Sequence, residues 1–313
     1  MRARGRLEPR RRSGKQERPL LTVRRDLASS EDLWRQKLQY ERIQYDLPAD
    51  GVARITLNRP ETANAQDYLM LSELNSAFDV AAGDDDVRVI ILAAEGRHFS
   101  SGHDLASPNP DMADFPTVGT QCHFDAPGAE GYMAREAEMY LGLCWRWRNL
   151  AKPTIAQVQG KVIAGGLMLV WPMDLIVAAD DATFSDPVVA FNVNGIEYFA
   201  HPFEAGTRLA KEMLFTGRPI GADELLARGM VNRVVPRQEL EKATLDLASH
   251  IAMRPMFGLT LAKQSVNQAV DSMGMYSALQ AAFSLHHVGH SHNMEIHGRR
   301  VDPSGIDVIR SEA

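Results

Sequence analysis

Cysteine is scarce in this chain: its 313 residues include two, Cys122 and Cys144. So small a number excludes a disulfide framework and a cysteine zinc site, and it points to a reducing, cytoplasmic setting. Long apolar runs are missing as well. No stretch reaches the roughly 18 apolar residues of a membrane-spanning helix, so no span is expected. Neither G-x-G-x-x-G nor G-x-x-x-x-G-K-[ST] occurs at a strand-to-helix junction, which removes the dinucleotide and P-loop phosphate fingerprints. What remains is ordinary for a globular enzyme-sized protein, with 45% apolar and 24% charged residues.

Charge is unevenly placed. Residues 1–25 carry ten Arg or Lys against Glu8 and Glu17, a net +8, which leaves −14 on the remainder of a chain whose total is −6. An acidic body repels nucleic acid, so any phosphate-backbone contact would fall to the tail. We expect residues 1–38 to form a basic, disordered extension. A nucleic-acid arm and an organelle transit peptide are the alternatives, and the single serine of residues 1–25, Ser13, counts against the second.

Beyond the tail, hydrophobic periodicity alternates between strand and helix. Val52 to Leu57 reads as a strand ended by the turn Asn58-Arg59-Pro60. Leu69, Met70, Leu74, Ala77, Phe78 and Ala81 recur at helical spacing. Val87 to Ala94 is too continuously apolar for a half-exposed strand and suits one buried on both faces. Residues 106–131 form the longest loop of the body, and a helix to about Leu150, a strand at Thr154–Val158 and another at Asp174–Ala179 follow. The expected architecture is an α/β core with parallel strands over residues 39–205, a helical region over 206–290 and a polar tail over 291–313.

Two glycine turns follow buried strands: Ser100-Ser101-Gly102-His103-Asp104-Leu105 and Gly160 to Gly166. Each can present backbone N–H groups, and Gly165-Gly166 opens a helix, where free amides favour negative charge. Most such glycines merely turn the chain. Seven pieces, however, agree in order and approximate spacing: Asn58-Arg59-Pro60-Glu61, Asp86 to Leu92, Phe99 to Leu105, Lys152-Pro153-Thr154-Ile155-Ala156 to Gly165-Gly166, Asp174 to Ala178, Leu214-Phe215-Thr216-Gly217, and Gly229-Met230-Val231-Asn232. Over roughly residues 40–270 the chain resembles the crotonase superfamily, the enoyl-CoA hydratases and isomerases.

That resemblance implies a spiral of ββα turns with a helical C-terminal region that assembles trimers or hexamers. It implies an acyl-CoA thioester substrate and an oxyanion hole made by the backbone amides of His103 and Gly165, with no metal or redox cofactor. Ser101, Asp104, Leu105, Gly166, Met168 and Val188 are the expected substrate-side positions. Met168 and Val188 stand where a hydratase of the family has its two glutamates, and neither can accept a proton, so ordinary hydration is not expected. Isomerisation, or C–C or thioester cleavage, fits the residues better. A catalytically silent acyl-CoA-binding protein is the alternative.

Replacement bases are near in sequence. Glu197 leads, in a loop shared with Tyr198 and His201; Asp186 is a second candidate, although Asp186-Pro187 also reads as a turn. The His103 imidazole either acts as a base or restricts the pocket. His286, His287, His290, His292 and His297 suggest a metal, but Gly289 interrupts them and no carboxylate has ligand spacing, so a solvated helix end is expected.

Overall fold

The computed structural model describes residues 40–107, 111–119 and 121–312, all within the unit Tyr40–Ala313. The basic extension expected over 1–38 lies outside the described residues. Strands β1 (Ile43–Ala49), β2 (Val52–Leu57), β3 (Val89–Ala94), β4 (Thr154–Val158), β6 (Leu175–Ala179) and β9 (Arg233–Val235) form one sheet in the order β1-β2-β3-β4-β6-β9. Only the β1–β2 hairpin is antiparallel; every other neighbour is parallel. Strands β5 (Lys161–Ile163), β7 (Thr183–Ser185) and β8 (Ile220–Gly221) make a smaller second sheet.

The continuous apolar run of β3 is explained by two cores, one on each face. Ile90, Leu92 and Ala94 face the larger core, whereas Val89, Ile91 and Ala93 face a smaller one closed by the helix Leu240–Ala252. Alternation with period two therefore serves both faces. The helix Tyr68–Gly83 starts where Asp67 accepts the Met70 amide at 2.8 Å, an N-cap, and buries Met70, Leu74, Ala77, Phe78 and Ala81. The helical spacing of the sequence is the stripe that meets the core.

Between Ala129 and Arg148 the expected single helix is broken in type. Ala129–Glu136 is α-helical, Ala137–Gly142 is a π segment and Leu143–Arg148 is α-helical again. A π segment inserts residues into a turn and re-aims the side chains beside it, and such insertions concentrate at functional sites. Glu136 lies at its edge.

The C-terminal expectations need two corrections. One helix runs unbroken from Met275 to His297, through Gly289 and past the boundary placed at residue 290. Gly289 is there for close approach, since a Cβ would lie 2.8 Å from the Asn192 carbonyl oxygen. The polar tail expected over 291–313 holds a further helix, Gly305–Glu312. No helix among the described residues is long and apolar enough to cross a membrane.

Candidate active site

Two extended segments meet at the edge of the second sheet. Ser100 bridges to Val162 of β5, and His103 bridges to Gln66 in parallel register. Gln66 N donates to the Gly102 carbonyl and Asp104 N to the Gln66 carbonyl, 2.8 and 2.9 Å. Amides alternate along extended chain, so the His103 amide faces away from Gln66. Gly102 has φ +93°, and a Cβ there would lie 2.8 Å from Ile163 O and 3.1 Å from Gly165 N. Ala164, beside Gly165, is held at φ +47°, costly for a residue with a side chain. Gln66 Nε2 donates to the Gly165 carbonyl at 2.7 Å and pins the turn.

These turns line a cavity of about 660 Å³. Its walls are largely apolar, with Tyr68, Phe115, Ile163, Val188 and Ile196 among them. Polar groups converge at one end. The His103 ring stacks on Tyr140, with centroids 4.1 Å apart and planes 8° apart, and lies against Gly165, where a Cβ would meet its Cδ2 at 2.4 Å. His103 Nε2 is 3.9 Å from Glu197 Oε2. Both atoms are buried without a hydrogen-bond partner. Burial pushes the Tyr140 phenol well above its ordinary range and Tyr68 up to about 12, so both remain protonated.

Of the expected positions, Ser101, His103, Asp104, Leu105, Gly165, Val188 and Glu197 line this cavity. Gly166 is packed behind it, where a Cβ would lie 2.7 Å from Ser100 O. Met168 is buried in the helix Leu167–Val170, its carbonyl accepting from Cys144 Sγ at 3.2 Å. Asp104 spends its carboxylate on its own loop: it accepts from Arg59, from the Ala106 and Ser107 amides and from the Ser107 hydroxyl. Burial opposes its ionisation, but these bonds outweigh it and hold the carboxyl below its usual range.

Asp186 is not in the cavity. It is fully buried, and its oxygens accept from His201 Nε2 at 2.7 Å, Ile196 N at 3.1 Å and Val188 N at 3.2 Å. His201 is thereby committed as well, and Tyr198 sits in the core. Of Glu197, Tyr198 and His201, Glu197 is the one that lines the cavity.

The sequence expectation missed the far wall. Glu136, His286, His290 and Arg300 all line the cavity, and the first three are buried. The solvated helix end expected for the histidines is corrected for His286, His287 and His290, while His292 and His297 are exposed. Glu136 Oε1 accepts from Arg300 at 2.8 Å, and Oε2 lies 3.3, 3.5 and 4.0 Å from Nε2 of His287, His290 and His286. Burial opposes ionisation of Glu136, but His290 first, then His286 and His287, outweigh it and bring its pKa down to about 2. Burial likewise pulls against charge on His290, yet its contact with Glu136 raises its pKa. The donor atoms of Glu136, His286 and His290 lie within 4.8 Å of one another, close enough to share a cation. Nothing in a helical Glu-rich stretch marks Glu136 for burial, because its partners come from a segment far along the chain.

The sequence pattern of the enoyl-CoA hydratase/isomerase family matches residues 48–122 and 128–300. The chain belongs to that family. It is an enzyme of the hydratase/isomerase type, and its fold is the crotonase-like one. EchA13 of Mycobacterium tuberculosis, named as an enoyl-CoA hydratase, is 44% identical over 289 residues, 90% of this chain and 91% of its own. A Mycobacterium smegmatis crystal structure described as an enoyl-CoA hydratase shares 48% identity with a TM-score of 0.76, covering 83% of this chain and 98% of that one. A monofunctional enoyl-CoA isomerase from M. smegmatis shares 27% identity with a TM-score of 0.58, covering 74% and 94%.

Proposed function

We propose that this family member acts on an acyl-CoA thioester through an enolate, with Glu197 as the proton carrier. The thioester carbonyl sits against the amides of His103 and Gly165. The Glu197 carboxylate takes a proton from the acyl chain, the C–H electron pair becomes the carbon–carbon double bond of the enolate, and the negative oxygen is held by the two amides. Where the chain already carries a double bond between its β and γ carbons, the enolate is conjugated with it, and return of the proton at the γ carbon shifts that double bond to the α,β position and completes an isomerisation. Preorganised amides in a water-poor site are worth about 3 kcal/mol each to such a transition state. This proton transfer uses no redox group.

The observation that carries this reading is the Glu197 carboxylate: buried, without a hydrogen-bond partner at Oε2, and on the cavity wall beside the His103–Gly165 turn. Hydration is disfavoured because Val188 is apolar and Met168 does not reach the cavity. The isomerase among the similar structures supports the same direction. Exposed apolar side chains on the C-terminal helices, including Phe257, Val266, Leu285 and Val288, support assembly as a trimer or hexamer.

The test is exchange of acyl-CoA protons with deuterated water, read by mass spectrometry. Wild-type protein exchanges them, and Glu197→Gln slows exchange on the order of 100-fold or more, the range expected of a positioned acid–base group. Tight acyl-CoA binding with no exchange across a chain-length series would sink the reading in favour of a silent binding protein.

A further inference from the structure

The far wall of the cavity poses a problem in hydrogen-bond accounting. His286 Nδ1 lies 2.8 Å from the Gly195 carbonyl oxygen, and His290 Nδ1 lies 2.7 Å from the Arg300 carbonyl oxygen. A carbonyl only accepts, so both Nδ1 atoms carry hydrogen and both Nε2 atoms of the neutral rings present lone pairs. Those two Nε2 atoms face each other at 2.9 Å. Two lone pairs at that distance require a cation between or beside them. A shared proton would satisfy the two rings, but it would leave Glu136 Oε2 as it stands, buried with no hydrogen-bond partner.

We propose that Glu136, His286 and His290 bind one divalent transition-metal ion, with zinc the best fit. The three donor atoms are separated by 2.9, 3.5 and 4.0 Å. The point equidistant from donors so spaced is about 2 Å from each, where zinc–nitrogen and zinc–oxygen bonds lie. One ion there satisfies all three donors at once. The surrounding contacts are those of a prepared site: each histidine is oriented through its other nitrogen by a backbone carbonyl, and the second carboxylate oxygen is held by Arg300. Two imidazoles and one carboxylate suit zinc, iron or nickel rather than calcium or magnesium.

Three protein ligands leave a coordination position open. All three line the cavity, as does Glu197, whose Oε1 is 3.5 Å from His286 Nε2. Water or a substrate oxygen is the ligand class this position takes. The inference goes beyond the enolate reading and does not rest on it: absence of proton exchange leaves metal uptake intact, and absence of metal leaves the oxyanion turn and Glu197 in place.

The full chain, carrying no affinity tag of histidines, is stripped with a chelator, dialysed and titrated with zinc chloride, with bound metal counted by mass spectrometry. One equivalent binds with micromolar or tighter Kd, and cobalt chloride gives the visible absorption bands of a nitrogen- and oxygen-ligated ion. His286→Ala, His290→Ala and Glu136→Gln each weaken binding at least tenfold, while His297→Ala and Cys122→Ser leave it unchanged. Folded wild-type protein that takes up no stoichiometric metal overturns the proposal without any variant, and the two Nε2 atoms then share a proton. Uptake that survives in the His286→Ala/His290→Ala double variant also overturns it.

Discussion

Individual residues decide how closely the two turns approach. Gly102 combines a positive φ with a site where a Cβ would press on Ile163 O. Gly102→Ala is therefore expected to cost about 1–3 kcal/mol of stability, visible as a lowered thermal midpoint. His103 can be dissected differently. Its backbone amide survives substitution, whereas its ring is what covers Gly165. His103→Ala should thus retain proton exchange and admit bulkier acyl chains, read as a change in relative KM across an acyl-CoA series. A loss of exchange equal to that of Glu197→Gln would instead make the imidazole the base. The glycine turns were legible as motifs, but the stacking of His103 on Tyr140 was not, because ring contacts depend on backbone placed by the whole fold.

At the scale of elements, the loop 186–201 is held by one buried carboxylate. Asp186 binds His201, Ile196 and Val188, which commits its carboxylate to the loop that carries Glu197. Asp186→Ala strands these donors and should cost about 3 kcal/mol or more in chemical denaturation. Acyl-CoA exchange per folded molecule should fall far less than in Glu197→Gln. The next short helix, His201–Glu204, carries a titration of its own. Glu204 is half-buried, and desolvation of its carboxyl raises its pKa from 4.5 to about 7, against the opposing effect of Arg148. A carboxyl raised in the fold favours the folded state while protonated, so stability declines as pH rises from about 4.5 to 7 and is level above. Glu204→Gln should flatten that part of the stability–pH curve; an unchanged slope would show that Glu204 titrates normally.

Across the whole molecule, apolar side chains left in water on the C-terminal helices set the expected assembly. Light scattering on the purified chain should give three or six times the mass of 34.7 kDa. A charged replacement pair, Phe257→Glu with Val266→Glu, should shift it toward monomer, and a monomeric wild type would remove the oligomer from the proposal.

The strands, the helices and the family they spell are written locally. Apolar period two marks β3 and period 3.6 marks the helix Tyr68–Gly83, because each element must bury one face or two with residues close in sequence. The same locality explains the errors. Gly289 reads as a break unless one knows that Asn192 lies against it, and nothing next to Glu136 in sequence announces the three histidines from a distant helix that surround it. Which polar groups face one another across the cavity is a long-range packing outcome, and no spacing along the chain encodes it.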